Sequence, residues 1–463
     1  KKHLAKDFYK DRFCLAVDIE WTCWGENRLR YPGNNFNAEY EAKAANYLGV
    51  DISTLLMCPL QPERAQEFLD TFDRWSQAPY LTWTTDKAFI KTDIVNEEYF
   101  NNDEKLDTDI RKFLDRLRPQ KGFFGAQIDE PLIRDDAKAF ALWENEWRDY
   151  LSGRAEYLQA NGITRPEETV EWKRFKGLQL GSHLRKMYGL FDTKGAFPCV
   201  CIMPTYEGDA SRAAYTGCCA GLPLAGTDLY RNGSTLEGLH LQLFKNAMAP
   251  GKAWLLPGAT FSCKTPDNYK RSISNGIVHA DGVHMWTSTH FSKYRDARYY
   301  WRYGNSRPTL DDRKRFDLYN WYPWGWDVMA ERYHFAAKNA RVLANRQSLA
   351  DVALLVSERC KLLEGKGMRY WNRCLAVYNE LVRAHSPFDA IFLENMTEEH
   401  FKRYRVIIAP NLSALTPGEL EKLRAFTAQG GILLTTPDFA TKDEWGREAK
   451  MANHFGMRFP TDD

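Results

Sequence analysis

Gly122-Phe123-Phe124-Gly125-Ala126-Gln127-Ile128-Asp129-Glu130-Pro131 reads as a short apolar strand that runs directly into two carboxylates and a proline. An apolar run of this length is a buried strand, and the polar residues at its end mark where the backbone leaves the sheet. The same unit recurs on both sides of it. Apolar runs fall at 13–19, 52–57, 80–83, 197–203, 222–227, 253–256 and 282–286, with amphipathic helical patterns between them, as at 62–75, 108–117, 236–248 and 268–279. A last helix over 327–345 closes the series. Eight strand–helix units over roughly 345 residues is the arithmetic of a (β/α)8 TIM barrel. The alternative, a doubly wound sheet, rarely runs to eight consecutive units.

After Arg346 the texture changes. Short apolar strands at 352–356, 388–393, 406–409 and 431–435 alternate with helices at 371–384 and 417–429, the latter with Pro417 in its first turn and Gly430-Gly431 past its end. This pattern predicts a small flavodoxin-like α/β domain with a parallel sheet. The division expected is a catalytic barrel over 1–346 and the second domain over 347–463.

The charge balance narrows the partners. Lys and Arg number 63 against 61 Asp and Glu, a net +2, which excludes a nucleic-acid binder or membrane anchor that works through a basic face. No apolar run approaches the roughly 18–20 residues of a membrane helix. The ten cysteines form no CxxC pair: Cys199 and Cys201 alternate on a strand, and Cys218 and Cys219 are adjacent, so buried thiols are expected and neither a metal nor a cofactor. Lys1-Lys2-His3-Leu4 shows no signal-peptide pattern, which leaves periplasmic, secreted and cytoplasmic locations open. The 15 Trp residues suit flat surfaces that bind rings, although a large core also accommodates them.

Reacting groups in a (β/α)8 barrel sit at the carboxyl ends of the strands. Those ends read Asp18-Ile19-Glu20-Trp21, Trp83-Thr84-Thr85-Asp86, Gln127-Ile128-Asp129-Glu130, Tyr206-Glu207-Gly208-Asp209 and Asp228-Leu229-Tyr230-Arg231, with His290 past strand eight. Converging acids with aromatic walls suit glycosidic bond cleavage, in which one carboxyl protonates the leaving oxygen and another attacks the anomeric carbon or activates water. The bland reading of each acid singly is a helix cap or a partner for a loop Arg. Trp21, Trp24, Trp83, Tyr206, Trp286, Trp324 and Trp326 are candidate stacking platforms, and the dense run 321–326 is expected over the barrel mouth. Asp209, Asp228 and His290 are candidate hydroxyl ligands, while His284 reads as core. Lys293, Arg295, Arg298 and Arg302 fit either an anionic substituent or a solvated helix face.

Phe124-Gly125-Ala126-Gln127-Ile128-Asp129-Glu130-Pro131 resembles the strand-four motif of glycoside hydrolase family 42 β-galactosidases and their clan, where a Glu following Asn is the general acid/base. The run 272–283 is similar to that family's passage from helix seven to strand eight. Tyr404-Arg405-Val406-Ile407-Ile408-Ala409-Pro410-Asn411 with Gly430-Gly431 resembles its trimerisation domain. The resemblance implies Glu130 as general acid/base, a carbohydrate substrate and a homo-oligomer, with a trimer among the options. Three departures accompany it. Asp129 replaces the amide that would bind the sugar 2-hydroxyl, and Pro257 stands where the strand-seven nucleophilic Glu would fall. No stretch reads as the family's third, all-β domain or its zinc-binding cysteine cluster.

The second carboxylate must then come from Glu20, Glu207, Asp209 or Asp228. Asp18 and Glu20 alternate onto one face of strand one, toward the barrel interior. Retention asks for about 5–5.5 Å between the two carboxyls and inversion for about 6.5–9.5 Å, and both stay open. The competing expectation is a catalytically silent carbohydrate-binding or assembly protein on the same scaffold. An amidotransferase in the second domain lacks its nucleophile elbow, with Cys360 expected at a strand end and Cys374 in a helix.

Overall fold

The computed structural model describes residues 5–20, 38–56, 62–83, 97–129, 131, 136–151, 169–202, 215–229, 234–257, 265–285, 325–365 and 367–449. The chain runs through β1 (Cys14–Glu20), α1 (Ala38–Leu48), β2 (Ile52–Leu56), α2 (Pro62–Trp75), β3 (Tyr80–Trp83), α3 (Glu97–Phe100) and α4 (Asp103–Leu117). It continues through β4 (Phe123–Asp129), α5 (Asp136–Leu142), α6 (Glu144–Leu151), α7 (Val170–Thr193), β5 (Phe197–Ile202), α8 (Tyr215–Cys219) and β6 (Leu224–Leu229). Then come α9 (Thr235–Met248), β7 (Lys252–Pro257), α10 (Pro266–His279), β8 (Gly282–Met285), α11 (Gly325–Lys338) and α12 (Ala340–Leu343). All eight strands are parallel, and β1 pairs with both β2 and β8, so the sheet closes into a barrel. Closure disposes of the doubly wound alternative.

Alternation along each strand sorts residues between two cores. On β1, Leu15 and Val17 pack outward against the helices, while Cys14 and Ala16 join Ile52, Leu81, Phe197, Cys199, Leu224 and Trp254 inside the barrel. Phe8, from a single 3-10 turn before β1, plugs the lower end: its ring lies 5.3 Å from Phe197 and 5.9 Å from Phe124. At that lower rim two aspartates tie neighbouring strands together. Asp51 accepts from Leu15 N at 3.1 Å and pairs with Arg12 at 2.6 Å, and Asp281 accepts from Ala253 N at 3.1 Å. Between β3 and β4 the register slips, pairing Tyr80 with Phe123 but Leu81 with Gly125. The glycine is obligatory there, because a Cβ at 125 would lie 1.8 Å from the Phe197 carbonyl oxygen.

Two expected boundaries moved, each for a local reason. The sixth strand begins at Leu224 rather than 222, since Pro223 has no N–H to give the ladder. At its other end the strand runs on to Leu229, so Asp228, expected after it, lies within β6. The helix expected over 327–345 is interrupted at Asn339, whose side chain donates to the Phe335 carbonyl at 2.8 Å in competition with the backbone.

The second sheet consists of β9 (Val352–Val356), β10 (Asp389–Phe392), β11 (Val406–Ala409) and β12 (Ile432–Thr435), all parallel in the order β10-β9-β11-β12. That is the flavodoxin-like order. Its helices are α13 (Glu358–Glu364), α14 (Arg369–Arg383), α15 (Glu398–Arg403) and α16 (Pro417–Ala428). A capping box of Thr416 and Glu419 opens α16 with Pro417 at its first position, and Gly430 at φ +93° ends it, as the sequence pattern predicts. Cys360 lies in α13, not at a strand end. Like Cys14, Cys199, Cys201, Cys218, Cys219 and Cys374, it is a buried free thiol, and burial pushes these thiols up wherever a shift is resolved, which keeps them unreactive.

The two sheets are joined by polar contacts as well as packing. The outer edge of β10 is covered by barrel helix α9: Gln242 Oε1 accepts from Ala390 N at 2.9 Å, and Asn246 Nδ2 donates to Ala390 O at 2.6 Å. His240 of α9 packs its ring 4.4 Å from Trp371 of α14. Beside this seam, buried Arg359 of α13 pairs with Glu419 at 2.5 Å and with Glu171 of barrel helix α7 at 3.6 Å. Burial opposes ionisation of Glu419, but the Arg359 guanidinium holds its carboxyl below the ordinary value.

Candidate active site

The carboxyl ends of the barrel strands are fixed by their registers. Asp18 pairs with Thr54 and Glu20 with Leu56 between β1 and β2, and Ala16 pairs with His284 across the seam to β8. Trp83 pairs with Gln127, Asp129 with Cys201, Asp228 with Leu256, and Leu229 with Pro257. Glu20, Trp83, Asp129 and Pro257 are thus the last residues of β1, β3, β4 and β7, while Asp228 is the penultimate residue of β6.

Beneath these positions the barrel interior changes from apolar to polar. Above the layer of Phe8, Phe197 and Trp254, Thr54 Oγ1 lies 2.7 Å from His284 Nε2, with both residues buried. The His284 ring stands edge-on to Trp254 at 6.1 Å. Gln127 of β4 is also buried. Thr54, His284 and Gln127 therefore form a polar floor directly under the acid-bearing strand ends. His284 is core, as its sequence setting predicts. Thr54 and Gln127 were not singled out from sequence, although each stands as a polar residue inside an otherwise apolar strand.

The other candidates, Trp21, Trp24, Glu130, Tyr206, Glu207, Asp209, Trp286, His290, Trp324 and Trp326, lie outside the described residues, as do Lys293, Arg295, Arg298 and Arg302. Among the described residues, no cluster of three or more His, Cys, Asp or Glu is arranged to hold a metal ion. No helix among them is long and apolar enough to cross a membrane.

Residues 354–450 match the family model of the β-galactosidase trimerisation domain. No curated protein matches the chain. Among solved structures, a catalytic mutant of a GH42 β-galactosidase from G. stearothermophilus aligns at a TM-score of 0.66 and 15% identity, over 95% of this chain and 73% of that one. The β-galactosidase from Bacillus circulans sp. alkalophilus aligns at 0.64 and 14% identity, over 95% and 73%. An apo exo-carrageenase of GH42 from Bacteroides ovatus aligns at 0.58 and 11% identity, over 94% and 66%. What they share with this chain is a fold, a closed parallel barrel followed by a small parallel-sheet domain. The chain is thus a distant structural relative of the GH42 β-galactosidases.

Proposed function

We propose that this relative is a glycoside hydrolase that cleaves a glycosidic bond in an oligo- or polysaccharide, with Glu130 as general acid/base. The reading is supported by one observation: β1, β4 and β6 bring acid-bearing positions 20, 129 and 228 to the same rim of a closed barrel. That rim is where barrels of this class keep their reacting groups. Glu130, next after Asp129, protonates the departing glycosidic oxygen. The neighbouring carboxylate favours its protonated form, since two adjacent negative charges repel. The partner carboxylate is drawn from Glu20, Glu207 and Asp228, and its distance from Glu130 sets the stereochemical outcome. Trp21, Trp83, Tyr206, Trp286 and Trp324 supply faces for sugar rings, and Asp129, Asp209 and His290 bind hydroxyls. The trimerisation-domain match supports a homo-oligomer as the working form.

One observation favours a second reading. Strand β7 ends on Pro257, a residue that can neither attack nor accept a proton, where the resemblance expects the nucleophile. On that reading the chain binds carbohydrate without cleaving it. Hydrolysis of a panel of p-nitrophenyl glycosides by the wild type and Glu130→Gln separates the two. Turnover lost in the variant with sugar binding retained supports the hydrolase. Equal turnover in both refutes Glu130, and binding without turnover in the wild type selects the second reading.

A further inference from the structure

Besides its seam with α9, the second domain meets the first turns of two further barrel helices, α8, which follows β5, and α7, which follows α6. Thr216, near the start of α8, donates both its backbone N–H and its hydroxyl to Glu358 Oε2, at 3.0 and 2.6 Å. The segment 203–214 that precedes it carries Tyr206, Glu207 and Asp209. Glu171, the second residue of α7, faces Arg359 Nε at 3.6 Å and is bonded by the Tyr150 hydroxyl at 2.8 Å. Glu358 and Arg359 are consecutive residues at the start of α13, and both are fully buried. Arg359 is held in turn by Glu419, and the Glu394 carboxylate takes the backbone N–H groups of Glu358 and Arg359 at 3.1 and 3.0 Å. This turn therefore cannot shift without breaking charge-assisted bonds inside its own domain.

We propose that Glu358 and Arg359 are positioning residues, through which the second domain holds the first turns of α8, the helix that returns from β5, and of α7, and so sets the geometry of the barrel's catalytic rim. The second domain on this account is a working part of the active site and does more than mediate assembly. The proposal rests on the glycosidase reading for its catalytic consequence, but the mechanical claim can be measured separately.

The test uses the full chain with Glu358→Ala, Glu358→Gln and Thr216→Val, read by steady-state hydrolysis of p-nitrophenyl glycosides and by hydrogen–deuterium exchange of peptides spanning 203–214. Glu358→Ala is expected to lower kcat about 10²-fold, the scale of a 1 Å misplacement, with a smaller change in KM and faster exchange in 203–214. Glu358→Gln keeps an acceptor oxygen for Thr216 and is expected to recover most of that loss. Thr216→Val removes the hydroxyl bond and keeps the backbone N–H bond, so its loss should be smaller than that of Glu358→Ala, and it should add little to Glu358→Ala, which removes both. A folded Glu358→Ala with unchanged kcat and unchanged exchange overturns the proposal. If Glu358→Ala does not fold, Thr216→Val is read in its place, with a smaller loss of kcat and faster exchange in 203–214 expected, and no change in either overturns the proposal. A wild type with no turnover refutes the glycosidase reading alone, and the exchange data then decide the positioning claim.

Discussion

His183 offers a quantitative check on the packing of the barrel's outer layer. It lies on α7 with 3% of its surface exposed, its ring stacked on Phe100 at 4.1 Å and 26°. Neither ring nitrogen has a hydrogen-bond partner among the described residues. Burial, reinforced by the nearby Lys186 cation and only partly offset by Asp103, pushes its pKa down from 6.5 to about 4. The folded value is thus below the unfolded one, so between them the unfolded chain binds more protons and stability falls as the pH drops. Above pH 6.5 the effect vanishes, at pH 5 it amounts to about 2 kcal/mol, and at pH 4 to about 3 kcal/mol. His183→Phe removes the titration and keeps a ring against Phe100. Urea unfolding followed by tryptophan fluorescence, at pH 7, 5 and 4, is the assay. The stability difference between variant and wild type should move in the variant's favour by those amounts as the pH falls, whatever its value at pH 7. Parallel pH dependences for the two proteins would refute the assignment of a neutral, buried imidazole. His240, pushed by burial to about 3, and His279, to about 4, add to the same acid lability in the wild type.

Glu130→Gln should lower kcat by at least about 10²-fold, the lower range of general acid–base catalysis, in the same glycoside assay. Gly125→Ala drives a methyl into the β5 backbone and should destabilise the barrel by at least about 3 kcal/mol, read as loss of soluble expression or a lowered Tm. A Gly125→Ala protein with wild-type Tm would show that β4 and β5 are not as close as described. Arg359→Met takes the cation from the partly buried Glu419 and leaves Glu171 to Arg174 alone, and should cost about 3 kcal/mol in thermal or urea unfolding, with part recovered by adding Glu419→Gln.

The barrel was legible because its strands are continuous apolar runs, and a fully buried parallel strand leaves that mark in any sequence. Where the reading drifted, the cause was a single residue acting on the backbone: Pro223 delayed β6, and Asn339 broke the last barrel helix. The slip at Gly125 left no trace, because a glycine in an apolar run gives no hint of which carbonyl approaches it. The acids at the strand ends were found by their place after apolar runs. Glu358, Arg359, Gln242 and Asn246 were not, since a buried, paired polar residue on a helix has the same local sequence as a solvated one. Only the distant partner tells them apart, and partners such as Thr216 and Ala390 lie 142 and 144–148 residues away. His183 and His240 were not singled out either, since the rings they pack on, Phe100 and Trp371, are likewise distant in sequence.

Gln242 and Asn246 supply to β10, from a helix, the donor and acceptor that a neighbouring strand would otherwise provide. A raw strand edge recruits whatever chain it meets. The two folds of this protein are therefore poor units for recombination. A cut after residue 346 would hand the second half an unclothed edge at Ala390 and strip the first half of the partner for α9. Any graft of this sheet onto another barrel has to bring along a helix face with the same two amides, one turn apart.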